Sequence, residues 1–200
     1  MEKLQTYGVV ILAGGKSERM NFPKIFLDFN GKTFLQKITS TYFNAGMKNI
    51  CAVINKEYSE GKWKEQIELI NPFVSEIIKT DSNLGRFHSL QLGINKLLSC
   101  DFVFIQNADN PFVDNESIQK LQKHRYPLGY TQLFYQGRKG HPLLISKTII
   151  QYINALQGSE YNLRDILTKF PKIDVEVNDK RILANINTKE DYEEYIFAQA

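Results

Sequence analysis

The 200-residue chain is short of several things, and each shortage narrows its reading. It has two cysteines and three histidines. Cys51 and Cys100 stand in or beside apolar runs, and neither residue type shows zinc-site spacing. The thiols therefore read as buried, inert core members and His124 as an ordinary surface residue. No apolar run approaches the roughly 20 residues of a membrane span. The start, Met1 to Thr6, lacks a secretory pattern. Net charge is only +3, with cations and acids mixed along the chain. No continuous basic face for nucleic acid results, and the small surplus favours an anionic ligand. Internal repeats, low-complexity segments and Pro/Gly-rich linkers are also missing. The expectation is a cytoplasmic protein with no nucleic-acid and no membrane partner.

What is present is the composition of a globular protein, 42% hydrophobic and 24% charged. This length suits one domain over residues 1–200, able to bury about 70% of its unfolded surface. Apolar, β-rich runs alternate with helical patterns. Strands are expected at Tyr7–Leu12, Asn49–Ile54, Glu76–Lys79 and Phe102–Ile105. Helices are expected at Thr33–Asn44 (stopped near Gly46), Glu60–Ile70 and His88–Leu98. Continuous apolar runs separated by helices argue for a parallel sheet covered on both faces, with ligands beyond the strands' carboxyl ends. In the second half, Leu128–Tyr135 and Pro142–Ile145 flank the polar connection Gln136–His141, which reads as a hairpin. Lys147–Leu156 and Leu163–Phe170 look helical, with Asn162 as an N-cap, and Ile173–Val177 alternates like a strand. Thr188 and Asp191 have capping-box spacing before a last helix.

The richest stretch runs from Gly8 to Lys24. An apolar strand enters a loop with Gly14 and Gly15 adjacent, followed by Arg19 and Lys24. Adjacent glycines let the backbone approach a ligand, loop N–H groups can surround phosphate oxygens, and the cations neutralise charge. The pattern is neither G-x-x-x-x-G-K-[ST] nor G-x-G-x-x-G, which removes support for P-loop and dinucleotide-binding readings. An ordinary tight turn with solvated charges is the alternative.

Leu12-Ala13-Gly14-Gly15-x-Ser17-x-Arg19-Met20-x-x-x-Lys24 resembles the signature of nucleotidyltransferases with a MobA-like fold. These include the molybdenum-cofactor guanylyl- and cytidylyltransferases and, more distantly, isoprenoid-precursor cytidylyltransferases. Asn21 departs from the glycine usual after Arg-Met, and Asn tolerates the left-handed region that such a turn requires. The resemblance implies a three-layer, Rossmann-like α/β fold with a mostly parallel sheet and a β-hairpin insertion in the C-terminal half. It also implies a nucleotide-binding half, about 1–112, and an acceptor-binding half, about 113–200.

Other segments extend the resemblance. Asn107-Ala108-Asp109-Asn110-Pro111 directly follows a strand and is similar to the family's Asp-x-Pro, whose Asp holds the metal. A carboxylate there suits Mg²⁺, which prefers hard oxygens and keeps several waters, though such an Asp can also cap a turn. Asn185-Ile186-Asn187-Thr188-Lys189-Glu190-Asp191 resembles a segment in which Asn187 would reach the metal or its water shell. Asn185 stands where a carboxylate can occur, so metal affinity would lean more on substrate phosphates. Gly85-Arg86-Phe87-His88-Ser89-Leu90 resembles a loop lying over the base, with Ser89 on a base edge and Arg86 on phosphate or base. Ser89 equally reads as a helix cap. Gly140-His141-Pro142 and Leu163-Arg164-Asp165 resemble acceptor-side segments, the former on a hairpin tip with Arg138 and Lys139.

The implied activity is Mg²⁺-dependent transfer of a nucleotidyl group from a nucleoside triphosphate to a phosphorylated acceptor, releasing pyrophosphate. Arg19, Lys24 and Asp109 are the expected catalytic residues, with Asp109 and Asn187 on the metal. Leu12, Ala13, Gly14, Gly15, Lys16, Ser17, Arg19, Lys24, Arg86 and Ser89 would hold the nucleotide. Gly14-Gly15 implies GTP, whereas Gly140-His141-Pro142 is closer to the cytidylyl branch. The acceptor implied first is molybdopterin, with molybdenum-cofactor proteins as further partners. An isoprenoid or sugar phosphate is the alternative acceptor, and a nucleotide binder without catalysis the alternative function.

Overall fold

The computed structural model describes residues 4–197. Chain order begins with β1 (Tyr7–Ala13), then a short β2–β3 hairpin (Asp28–Phe29, Lys32–Thr33) and helix α1 (Phe34–Asn44). Next come β4 (Asn49–Asn55), α2 (Lys64–Glu68), β5 (Glu76–Thr80), α3 (Gly85–Asn95) and β6 (Phe102–Asn107). The rest is α4 (Asn115–Lys123), β7 (Tyr130–Tyr135), β8 (Arg138–Ser146), α5 (Lys147–Ala155), α6 (Leu163–Leu167), β9 (Lys172–Glu176) and α7 (Lys189–Tyr192).

Seven strands form one sheet in the order β5-β4-β1-β6-β8-β7-β9. Pairing is parallel from β5 to β6 and between β7 and β9, and β8 is antiparallel to both its neighbours. The expected mostly parallel α/β fold is therefore present. Alternation along β1 explains the layers. Val9, Ile11 and Ala13 face one apolar cluster with Leu35, Ile38 and Tyr42 of α1 and Ile118 and Leu121 of α4. Val10 faces the other, with Leu90 and Ile94 of α3 and Ile149 and Ile153 of α5. Gly93 fixes how closely α3 lies on the sheet, since a Cβ there would come within 2.6 Å of Val10 Cγ1. Both cysteines are buried in this second cluster, and burial pushes the Cys51 thiol up to about 12. No helix among the described residues is long and apolar enough to cross a membrane.

Local signals place several boundaries as the sequence suggests. Thr33 caps α1 through a capping box with Gln36, and Gly46 follows the helix at φ 86°. Thr188 and Asp191 form a second capping box, and the Asn162 side chain caps α6.

Three expectations need correction. Helix α3 begins at Gly85, not His88, because Gly85 adopts φ 82° and turns the chain straight into the helix. Ser89 is consequently inside the helix and buried, not its cap. The expected helix Glu60–Ile70 is broken into a 3₁₀ turn at Gly61–Trp63 and the short α2. Finally, the hairpin turn is only Gln136-Gly137, both at positive φ, as a two-residue turn requires. Arg138 to His141 belong to β8 rather than to a loop tip. Gly140 is needed there because a Cβ would lie 2.3 Å from Ile182 Cδ1.

Candidate active site

The carboxyl ends of β1, β4, β5 and β6 all emerge on one side of the sheet, where loops replace strand pairing. A cavity of about 190 Å³ opens there, walled by Leu12 to Gly15, Ser17, Lys24, Arg86, Ser89 and Asp109. A second, about 360 Å³, adjoins it through shared walls at Gly15, Ser17 and Lys24, and adds Lys16, Arg19 and Asn187. Every residue singled out from the sequence as catalytic, nucleotide-binding or metal-binding thus lines one of two contiguous lobes. Ser82, Asn83, Gly85 and Asn107 line them too and were not singled out for a role.

The glycine loop is held by its own turns. Ser17 and Asn21 are left-handed at φ 57° and 51°, and Asn21 N–H donates to Glu18 O, as an Asn in the family's glycine position permits. Ser17 Oγ accepts from Lys24 N–H at 3.0 Å, folding the lysine back over the loop. Tyr58 OH donates to Lys16 O at 3.0 Å. Gly14 is a close approach: a Cβ would stand 2.8 Å from Thr80 Cγ2 and 3.1 Å from Ser89 Oγ. Gly15 has open space on that side.

Beyond β6 the chain is locked by buried amides. Gln106 donates to Asn107 O and Asn110 O and accepts from Tyr42 OH. Asn110 donates to Arg181 O and Ile182 O, while Ile186 N–H donates to Asp109 O. This network fixes the backbone of Asp109 but leaves its carboxylate out: Asp109 Oδ1 is buried without a hydrogen-bond partner.

Three of the cations in the lobes are gripped by neutral amide oxygens. Lys16 Nζ donates to Asn83 Oδ1 at 2.9 Å, Lys24 Nζ to Asn187 Oδ1 at 2.8 Å, and Arg86 to Asn107 Oδ1. Among the described residues, neither these three nor Arg19 is in an ion pair. An amide orients a cation without cancelling its charge, so the lobes keep a concentrated positive field. Burial pushes the Lys24 ammonium below its usual range; Arg19 and Arg86 push the same way, and Asp109 and Asp191 oppose them. The N-terminus of α3, uncapped by any side chain, adds its partial positive charge beside Arg86.

Six buried side-chain polar atoms lack a partner among the described residues. Five lie at this end of the sheet: Asn55 Nδ2, Thr80 Oγ1, Ser82 Oγ, Asp109 Oδ1 and His141 Nδ1; Ser146 Oγ, at the far end of β8, is the exception. Each such atom costs about 1–3 kcal/mol unless something else bonds it, and two of them, on Ser82 and Asp109, belong to residues that wall the cavities, where a polar ligand can reach. Among the described residues no group of three or more His, Cys, Asp or Glu could enclose a metal ion. Asp109 with its free oxygen suits a cation that keeps most of its ligands as water or substrate oxygens.

Sequence reading missed Asn55, Thr80 and Asn107, and it read His141 as an acceptor-side residue with no link to Asn107, which it contacts. The signal that existed was positional, because Asn55 and Thr80 end neighbouring strands in register and Asn107 ends β6.

Comparison with known proteins bears on the family and the fold. The family model for the MobA-like NTP transferase domain matches residues 9–174. A Flavobacterium johnsoniae protein named probable molybdenum cofactor guanylyltransferase is 27% identical, covering 96% of this chain and 95% of the relative. A 2-C-methyl-D-erythritol 4-phosphate cytidylyltransferase from Thermosipho africanus is 32% identical over 56% of this chain and 50% of its own. The crystal structure of Rv0371c from Mycobacterium tuberculosis H37Rv shares the fold, with a TM-score of 0.80 at 18% identity over 97% of this chain and 99% of that one. A manganese complex of the same mycobacterial protein superposes with a TM-score of 0.76 at 15% identity, covering 98% and 100%. The chain belongs to the MobA-like NTP transferase family, and it is a nucleotidyltransferase.

Proposed function

We propose that this enzyme transfers a nucleoside monophosphate from a nucleoside triphosphate, GTP ahead of CTP, to a phosphorylated acceptor, with molybdopterin the first candidate. The carrying observation is the set of cations held by amides around an unpartnered carboxylate, an arrangement suited to a polyphosphate and a divalent ion. The relative that spans nearly the whole chain, named a molybdenum cofactor guanylyltransferase, supports this acceptor and base. The shorter match to a cytidylyltransferase of a sugar-alcohol phosphate supports the second reading, another phosphorylated acceptor.

In this reading residues 1–112 supply most of the nucleotide site and residues 113–200 the acceptor side. A phosphate oxygen of the acceptor attacks the α-phosphorus, and pyrophosphate leaves. Lys16, Arg19, Lys24 and Arg86 hold the triphosphate and offset charge that grows on the α-phosphoryl oxygens and the leaving group. The loop Leu12–Ser17 lies along the nucleotide, and Ser89 beside Gly14 offers a hydroxyl to the base. Asp109 would hold Mg²⁺ through its free oxygen, with Asn187 contributing when its amide is released from Lys24. Bound Mg²⁺ supplies Lewis-acid polarisation of the phosphoryl oxygens.

Thermal melting with Mg²⁺ and each of the four nucleoside triphosphates tests the assignment. A ligand at 100 times its dissociation constant adds about 2.7 kcal/mol, at about 2–4 °C per kcal/mol. A rise with GTP alone supports the guanylyl reading and a rise with CTP alone replaces it. Nucleotide binding without pyrophosphate release on any phosphorylated acceptor would point instead to a binder without catalysis.

A further inference from the structure

Arg86 is the first link of a chain that continues away from the cavity. Its guanidinium donates to Asn107 Oδ1, and Asn107 Nδ2 lies 3.0 Å from His141 Nε2. Each link is dictated by the one before it. A guanidinium can only donate, so the atom of Asn107 that faces it must be the oxygen. The amide nitrogen therefore faces His141, and an NH₂ group can only donate. Nε2 must be the bare, accepting nitrogen, and the proton of the neutral ring sits on Nδ1. Nothing else among the described residues holds this tautomer, because Nδ1 is buried without a partner.

We infer that His141 is a positioning residue for the nucleotide: through Asn107 it fixes the direction in which Arg86 points into the cavity. The inference rests on the reading that Arg86 meets the triphosphate or its base. Without an acceptor at Nε2, the Asn107 amide loses the contact that sets its orientation, and a rotated amide turns its NH₂ toward Arg86. Two donors then face each other and the guanidinium must leave. The backbone supports the same role. His141 lies opposite Asn107 because β8 pairs with β6 in the register Leu143–Ile105, and Gly140 keeps that part of β8 pressed against Ile182. Sheet pairing rather than a mobile loop thus carries the ring.

The test combines nucleotide affinity with the state of the ring. Dissociation constants for Mg²⁺-GTP and Mg²⁺-CTP are measured without acceptor for Arg86→Ala, His141→Leu, His141→Gln and the double variant Arg86→Ala/His141→Leu. His141→Leu should weaken binding of the preferred nucleotide about tenfold. His141→Gln, whose amide can again accept near the Nε2 position, should restore most of it. The double variant should bind no more weakly than Arg86→Ala alone, because the histidine acts only through the arginine. Additive losses would overturn the inference while leaving the nucleotide role of Arg86 standing. Unchanged affinity in Arg86→Ala would overturn that role and the inference with it. Independently of any variant's folding, ¹⁵N spectra of the unmodified protein with the His141 ring assigned should show that ring protonated on Nδ1 and bare at Nε2. His124, whose Nδ1 faces the Lys120 carbonyl at 2.9 Å, has the same tautomer for its own reason and does not count. If the assigned His141 ring carries its proton on Nε2, the inference fails.

Discussion

Two polar depressions on this molecule look alike in composition and differ in bonding. The groove beside α4 is the larger, about 610 Å³, and is walled by Asp114, Glu116, Lys120, Asp179 and Arg181. Apart from Lys180, its charges already have partners. Lys120 pairs with Glu116 at 2.6 Å, Arg181 with Asp179 at 2.8 Å, and Asp114 accepts from Ser117 N–H as the cap of α4. In the strand-end cavity, cations meet amides instead of acids, and Asp109 Oδ1 meets nothing. Volume favours the first depression and unspent bonding capacity the second. A ligand adds little where the protein has satisfied itself, and much where it has not.

Mutation can break or sharpen this contrast. The largest effect should come from Asp109→Ala, which should cut divalent-metal-dependent turnover at least about a hundredfold. The fold should survive, because no hydrogen bond to Oδ1 is lost; a melting curve beside a pyrophosphate-release assay reads both. Lys24→Ala should weaken triphosphate binding by about 10–100-fold, measured by calorimetry, since it removes a charge-assisted contact. Gly14→Ala should destabilise by about 1–3 kcal/mol in urea, as its Cβ must displace Thr80 or Ser89. Gly15→Ala, facing open space, should melt close to the parent.

A smaller effect concerns acid. Burial pushes the His141 imidazole down from 6.5; Arg86 pushes with it and Asp109 against it. The unfolded chain therefore binds a proton that the native ring refuses. Stability is fully present above about pH 6.5 and falls as pH drops toward the folded value, by up to about 1.4 kcal/mol per pH unit from this group. Urea unfolding between pH 5 and 8 should show that slope, and His141→Gln should flatten it. The smallest effect should be Lys120→Ala in the groove. Exposed pairing with Glu116 predicts a change within about 0.5 kcal/mol and unaltered turnover.

The contrast also explains what the sequence disclosed. Strands β1, β4 and β6 were legible because a strand buried on both faces writes itself as a continuous apolar run, whereas the partly buried edge strand β5 showed only the pair Ile77-Ile78. Cap residues wrote the ends of α1, α6 and α7 locally. Gly85 misled, since a glycine ahead of a helical pattern reads as a breaker, yet its positive φ let the helix begin at once. Arg138 to His141 read as loop because they are polar. The reason they belong to β8 lies in the ladder with β7, Arg138 opposite Tyr135 and Lys139 opposite Phe134, and in the approach of Gly140 to Ile182. The strand-end residues Gly14, Lys24 and Asp109 were legible from motif spacing. The amides gripping the cations were not, since Lys16 with Asn83 and Arg86 with Asn107 are joined only by the fold.

The bond between Lys24 and Asn187 joins positions 163 residues apart. Loop closure over such a span comes late in folding, after the intervening sheet has brought its ends within reach. During synthesis from the N-terminus, the glycine loop and Lys24 emerge long before Asn187, so a growing chain carries only part of the cleft. Completion of the cleft therefore waits on completion of the sheet.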